Sequence, residues 1–416
     1  MSNSYNIVFI GAGSSNIFSL LHLIKTRPEV IKEKKILIID KGNDPYNRTA
    51  QEVTCGWIGA GAWCDCKLVL STASGGELLD FLDPSIDIDN LENSLLDILK
   101  DNLETQYSIL TPSTPAFFNT GNFKVLQNRV LHVGTDYGRL FATKVYNKLS
   151  KQENIQIKLL ETVIDIKNLD SGWYKIITDK TCYFTEKVIY ATGRAGAQTT
   201  NNIIKSLGIN TIKKQPQVGI RVEVPYELTK QITDIYYDFK FYLQTPKGLV
   251  RSFCVSPQGE VVQEDFFDYK TFNGGSCKDF KTNYTNFGVL CSPNDINGFG
   301  PLEYQKLLAE KCTNLESNKA TWKEWKENKK IYNAFYYAGV YNMITLWMEE
   351  FDKICPDFLK EVTINMPEIK FSANYVDINE NLELKQYPNF FMLGDCSYAR
   401  GIYQSALGGI HVANII

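Results

Sequence analysis

Residues 5–16 read YNIVFIGAGSSN, and residues 17–40 continue IFSLLHLIKTRPEVIKEKKILIID. The apolar run Tyr5–Ile10 ends in Gly11-Ala12-Gly13. An amphipathic stretch follows, and Pro28 marks its end. A second apolar run closes at Asp40. Strand, glycine turn, helix, strand is one βαβ unit. Gly11 allows the tight turn, and Gly13 lets the backbone approach a pyrophosphate at the positive end of the helix. Gly11, Gly13, Ser14, Ser15 and Asn16 are therefore candidate residues for holding a dinucleotide. Asp40 can accept hydrogen bonds from a ribose, and Lys41 beside it joins the candidate set. An acid here, rather than Arg or Lys, points to an unphosphorylated ribose, hence FAD or NAD rather than NADP. Asn16 stands where G-x-G-x-x-G has its third glycine, so the helix is expected to pack slightly further from the strand.

The other end of the chain completes the same pattern. Asn389–Leu393 reads as a strand that ends in Gly394-Asp395 and leads to a helix beginning near Gly401 and Ile402. Asp395 would face a polyol hydroxyl, and the helix start would face an electronegative ring edge. Between the two ends, KVIYATG (187–193) is a strand closed by Ala191, Thr192 and Gly193. Gly61, Ala62 and Val163 join the cofactor candidates.

The order G-x-G, ATG, GD resembles two-domain FAD proteins of the glutathione-reductase and p-hydroxybenzoate-hydroxylase type. It is similar, more narrowly, to the largely uncharacterised predicted FAD-dependent dehydrogenases. The blocks carrying that likeness are GWIGAGAWCDCKL (56–68), LHVGTDYGRL (131–140), VGIRVEVP (218–225), SFCVSPQGEVV (252–262), FNGGS (272–276) and GDCSYARGIYQSALGGI (394–410). The resemblance implies FAD as cofactor, with Asp395 meeting the ribityl chain. Two positions depart from it. Cys64-Asp65-Cys66-Lys67 stands in place of Ser-Asp-Gly-Lys, and Gln258-Gly259 in place of a glycine pair.

The expected fold is α/β: a discontinuous Rossmann-like FAD-binding domain at 1–70, 128–216 and 370–416, and a second α+β domain at 217–369 on a largely antiparallel sheet. Residues 71–127, with LENSLLDILKDNL and TPSTPAFFNTG, are expected to form an inserted cap. No second G-x-G-x-x-G marks a separate NADH domain, so NAD(P)H, if used, binds elsewhere, or the substrate itself reduces the flavin.

The catalytic candidates are Lys67, Arg400 and Tyr403. Lys67, on a small-residue loop expected at the flavin ring, either stabilises negative charge there or contacts a phosphate or carboxylate. Arg400 either holds a substrate carboxylate bidentately or pairs with Asp395. Cys64 is either a redox thiol or a small filler. Arg221 reads as an ion pair with Glu223 on one strand face. His22, His132 and His411 lie far apart and read as structural. TWKEWKENKKIYNAFYY (321–337) reads as an amphipathic helix with its aromatics inward.

Composition narrows the function. The 416 residues carry a net charge of −3, with 44 Lys and Arg against 47 Asp and Glu, which disfavours nucleic acid as partner. No apolar run approaches the roughly 18 residues of a membrane span. The N-terminus lacks the pattern of a signal peptide, and the ten cysteines, with no metal-site spacing, fit free thiols in the cytoplasm. The leading expectation is an FAD-dependent dehydrogenase or oxidase passing a hydride between flavin and a small organic substrate. The alternatives are a monooxygenase using NAD(P)H and oxygen, or a flavoprotein modifying nucleic acid.

Overall fold

The computed structural model describes residues 3–49, 52–71, 73–103, 105, 107–112 and 121–416. The chain divides into two compact units. The first comprises Met1–Gln106, Asp136–Lys213 and Ser372–Ile416, the second Tyr107–Thr135 and Lys214–Phe371. Residues 71–106 thus fall in the first unit and 107–127 in the second. Most of the TPSTPAFFNTG stretch, 113–120, lies outside the described residues.

The first unit is a Rossmann-like α/β sheet. Ser4–Ile10 lies at its centre, parallel to Ile36–Ile39 on one side and Cys182–Tyr190 on the other. Ile155–Lys158 extends the sheet beyond Ile36–Ile39, and Phe390–Met392 pairs in parallel with Cys182–Tyr190. Tyr174–Thr178 and Val163–Asn168 add an antiparallel wing. Ile36–Ile39 is buried at all four residues, as expected where helices cover both faces. The registers Ile10↔Ile39, Ile10↔Tyr190 and Tyr190↔Met392 bring four strand ends to one edge. Ligands of open parallel sheets bind at that carboxyl edge.

The helix Ser14–Thr26 leaves the first strand, and the helix Gly401–Ile415 packs against it. A Cβ at Gly409 would stand 2.0 Å from the Ser15 carbonyl oxygen, so the two backbones touch. Asn16 replaces the glycine of close packing by a polar tie. Its fully buried Nδ2 donates to the carbonyls of Gly11 at 2.7 Å and Ile10 at 3.1 Å. His22 is buried against Asn414 at 2.8 Å, and burial lowers its pKa. His411 is also buried and lowered, for the same reason.

The second unit is built on a seven-stranded antiparallel sheet. Its order is Lys319–Thr321, Thr363–Ile369, Val218–Pro225, Tyr284–Pro293, Gly248–Ser256, Lys240–Thr245, Lys124–Leu126. Glu260–Phe266 and Tyr269–Gly275 form a hairpin. The helix Val340–Asp352 packs Trp347 and Phe351 onto Phe241 and Phe287 of the sheet. The Lys/aromatic stretch forms two short helices, Trp322–Glu327 and Lys329–Phe335, rather than one. A capping box at Thr321 and Glu324 starts the first, and Trp325 and Phe335 are fully buried. Arg221 pairs with Glu368 at 3.5 Å, not with Glu223 as the strand spacing predicts. Glu368 lies on the neighbouring strand opposite Gly219, next to the register shift between Gly219 and Arg221. His132 bonds through Nδ1 to the Tyr237 hydroxyl at 3.0 Å. No helix among the described residues is long and apolar enough to cross a membrane.

Candidate cofactor site at the carboxyl edge of the parallel sheet

Three turns distant in sequence meet at the carboxyl edge of the first unit. Gly11, at φ +91°, lies so close to Ala191 that a Cβ would be 2.3 Å from its carbonyl oxygen. Thr192 Oγ1 lies 3.3 Å from Cys396 Sγ, joining the ATG turn to the turn after Gly394-Asp395. A Cβ at Gly394, at φ +65°, would stand 3.0 Å from Ser15 Oγ, closing the triangle. Gly11 is required because a side chain would have to displace the Ala191 backbone, and Gly394 because of its left-handed φ.

Other glycines at the same edge face open space. A Cβ at Gly13 would meet only the Ala191 carbonyl oxygen, at 3.7 Å, and Cβ atoms at Gly193 and Gly401 would meet nothing within 4 Å. Gly13 caps its helix without a side-chain hydrogen bond, and no acid sits in the first turn. Arg400 likewise caps the last helix with no side-chain bond to it. Two helix N-termini, each with a positive dipole end and no side-chain cap, therefore open at one edge. The cradle fits an elongated, phosphate-bearing ligand such as a dinucleotide.

Asp40 organises the loops around this edge. Its Oδ2 accepts from the Ala12 N–H at 2.7 Å. Its Oδ1 accepts from the Gly42 and Gly56 N–H groups at 2.8 and 3.1 Å. A carboxylate has about four acceptor positions, so one remains for a ribose hydroxyl. Lys41 donates to the Ala195 carbonyl at 2.9 Å. The Leu160 and Glu161 N–H groups donate to the carbonyls of Gly42 and Asp40, which brings the strand start at Val163 beside the same corner.

The segment GAGAWCDCKL, expected as a loop, is instead the short helix Gly59–Cys64 followed by the strand Lys67–Leu70. The left-handed Ile58, at φ +69°, starts that helix. The segment joins both glycine turns: the Ile58 N–H donates to the Ala12 carbonyl at 2.7 Å, and Gly61 abuts Ile402, where a Cβ would be 2.5 Å from Cγ1. Ala62 is buried beside Gly138.

Lys67 and Asp65 form a buried ion pair at 2.9 Å, with side chains 3% and 4% exposed. Cys66, between them, is buried, and burial raises its thiol pKa well above the usual range. Arg400 Nε meets Asp395 Oδ1 at 2.6 Å. The Tyr403 hydroxyl donates to Glu92 Oε2 at 2.6 Å, on the helix Ile88–Asn102. The carboxyl-edge cluster thus gathers the glycine-turn residues, Asp40 and Lys41, while the Tyr403 hydroxyl is directed to a neighbouring helix.

Sequence reading missed three residues of this site. Gly42 and Gly56 approach so closely that a Cβ at Gly42 would be 2.4 Å from the Gly56 nitrogen. Arg48 is buried and donates to the carbonyls of Glu52, Val53, Trp57 and Gly59, which fixes the loop between the second strand and the helix Gly59–Cys64. Burial lowers its pKa to about 10, partly offset by Asp40, so it stays charged at neutral pH. An isolated Gly or Arg in a polar loop carries no periodic signal, so only the folded contacts reveal these three.

No family profile matches the chain, and no curated protein matches its sequence. Several solved structures are similar along nearly its whole length. Glycine oxidase from Geobacillus kaustophilus is 12% identical, with 99% of this chain and 94% of that one covered and a TM-score of 0.45. CtdE in complex with FAD is 11% identical, with 99% and 84% covered and a TM-score of 0.42. p-Nitrophenol 4-monooxygenase PnpA from Pseudomonas putida DLL-E4 is 10% identical, with 98% and 77% covered and a TM-score of 0.43. None of these likenesses decides what this chain binds.

Proposed function

We propose that the chain is an FAD-dependent oxidoreductase, a dehydrogenase or oxidase acting on a small organic molecule. The observation that carries this reading is the meeting of the Gly11, Ala191 and Gly394 turns beside two uncapped helix N-termini at one sheet edge. When bound, FAD would supply acceptance and donation of a hydride.

The protein's own residues supply binding and orientation. The first-turn N–H groups after Gly13, at Ser14, Ser15 and Asn16, are assigned to the pyrophosphate. Asp40 offers its remaining acceptor position to a ribose hydroxyl, with Lys41 and Val163 bordering the same corner. Asp395, oriented by Arg400 at 2.6 Å, is assigned to a polyol hydroxyl. Gly401 and Ile402 present the N-terminus of the last helix to an electronegative ring edge. Gly61 and Ala62 line the approach, with Ala191, Thr192 and Gly193 below. Lys67 is balanced by Asp65, so its proposed part is to donate a hydrogen bond from a fixed position rather than to supply bare charge. Tyr403 is assigned a positioning role, through Glu92.

The second unit is the proposed substrate-binding part. NAD(P)H or oxygen is the proposed redox partner, and the cytoplasm the proposed location, since ten free thiols suit a reducing compartment. The experiment is an anaerobic screen of small organic compounds, read as loss of flavin absorbance. Bleaching by one compound class supports the reading. A flavin-bearing protein that NAD(P)H alone reduces, and that then consumes oxygen only with added substrate, would favour a monooxygenase instead.

A further inference from the structure

The first unit carries a groove that the cofactor cluster does not use. Its volume is about 550 Å³, and it runs between the end of the helix Ile88–Asn102 and the second half of the helix Thr135–Ser150. Its walls present three lysines, Lys144, Lys148 and Lys151, against one acid, Asp101. That acid is already held, because Lys25 meets it at 2.9 Å and also reaches Asp97 at 3.4 Å. Among the described residues none of the three lysines forms an ion pair. Lys148 Nζ lies 3.4 Å from Asn102 Oδ1, a neutral partner that positions the ammonium without cancelling its charge.

The helix dipole accounts for one of these lysines. Lys148 stands in the last turn, where a cation is favoured. Lys144 lies a turn earlier, and Lys151 follows the last helical residue. Lys144 and Lys148 share a face and sit about 6 Å apart along the axis, at roughly 1.5 Å per residue. Like charges at that spacing repel. The arrangement is unfavourable for the empty helix and favourable for one with an anion against it.

The helix ends bordering the groove do not oppose an anion with bare carbonyls. Asn102, 3% exposed, donates from Nδ2 to the Ile98 carbonyl at 2.7 Å. Gln152 Nε2 covers the Lys148 carbonyl at 3.2 Å. Asn147 accepts from the Tyr46 hydroxyl at 2.9 Å through Oδ1, which leaves its amide donors for a ligand. Leu140, 47% exposed on the same helix, adds an apolar surface to the groove.

The groove belongs to the opposite edge of the sheet from the glycine turns. The Ile155 N–H donates to the Gln152 carbonyl at 3.1 Å, and Ile155 pairs with Ile36 at the amino ends of two parallel strands. We infer that this groove is a second ligand site, for a small molecule bearing two or more phosphate groups. Its volume falls within the roughly 300–1,000 Å³ of small-molecule sites. Lysines are compact point charges that pair with phosphate from any direction, and three of them exceed what a single phosphate engages. The uncharged part of the ligand lies along Thr143 and Leu140. This site stands on the first unit's own charges and geometry, and it holds whether or not the carboxyl edge binds flavin.

The test is calorimetric titration of the purified full-length protein with ADP, AMP and adenosine, its flavin content recorded by absorbance. ADP should bind about tenfold more tightly than AMP, the scale of one charge-assisted hydrogen bond, and adenosine more weakly than either. Added salt should weaken ADP, because the lysines are partly exposed. Joint Lys144→Gln and Lys148→Gln substitution should remove most of the ADP preference with bound flavin unchanged, and the exposed Lys151→Gln alone should remove part of it. Equal affinities for ADP and AMP in the unmodified protein, or no ADP binding, would overturn the inference, and that comparison needs no variant to fold. An ADP preference that persists in the folded double variant would place the nucleotide elsewhere, the carboxyl edge included, and would overturn it too.

Discussion

Replacing Asp40 with Ala tests how the cofactor edge is assembled. The carboxylate accepts three backbone N–H bonds, from Ala12 at 2.7 Å, Gly42 at 2.8 Å and Gly56 at 3.1 Å. Those donors belong to three loops: the glycine turn, the end of the second strand, and the segment leading to the helix Gly59–Cys64. A hydrogen bond to a charged group contributes roughly 1.5–3 kcal/mol. Asp40 is only half-buried, so water takes over part of each bond, and the third is long. The expected loss is therefore about 3–5 kcal/mol in flavin-free protein, near the low end of the sum. Asp40→Asn keeps one acceptor oxygen and should lose about half as much. The assay is urea unfolding of stripped protein, followed by flavin titration of the folded variants. Affinity should fall as well, because the loops that Asp40 joins frame the cradle. If flavin-free Asp40→Ala unfolds within about 1 kcal/mol of the parent, the carboxylate does not tie the loops and the reasoning fails.

Further substitutions separate packing from ligand contact. Gly11→Ala should prevent stable folding, because its Cβ would stand 2.3 Å from a carbonyl oxygen at φ +91°; soluble, cooperative unfolding at the parent's midpoint would contradict that. Gly13→Asp should fold but lose flavin, since its Cβ faces open space and its charge would oppose a pyrophosphate; retention of flavin would misplace the phosphate site. Lys67→Met should destabilise by about 3–5 kcal/mol by removing the cation of a buried ion pair, and Asp65→Asn added to it should recover most of that. A double variant no better than the single one, measured by urea midpoint, would show that the pair is not the cause. His22 and His411 are both held below the ordinary imidazole pKa by burial, so the unfolded chain binds protons more readily. Their contribution is present above about pH 6.5 and is lost as the pH falls through their lower folded values. Stability of flavin-free protein should drop on acidification below that point, and less steeply in His22→Gln; identical pH profiles would exclude His22 as a source.

The parts of this architecture that were legible in sequence are those with local signals. Tyr5–Ile10, Ile36–Ile39 and the glycine turn between them announce themselves by apolar runs, a helix period and a breaker. The antiparallel sheet of the second unit follows from alternating strands. What sequence could not carry is contact between distant segments. Residues 59–64 read as a loop because Gly-Ala-Gly-Ala has poor helical propensity, yet packing against Gly13 and Ile402 makes a helix of them. The partner of Arg221 was misread because Glu368 is 147 residues away and reaches it only through strand pairing. Tyr403 stands beside Gly401 in sequence, but the bond of its hydroxyl to Glu92, 311 residues away, is visible only in the fold. Arg48 and the Gly42–Gly56 approach have no periodic signature at all.

The central claim is that the carboxyl edge of the first unit holds FAD, and the most direct test is the cofactor itself. The protein should purify yellow, and heat or acid denaturation should release FAD, not FMN, at about one per chain, because the proposed reading assigns the turn of the βαβ unit to an adenosine pyrophosphate. A colourless preparation that develops no bound-flavin spectrum when titrated with FAD would contradict the account.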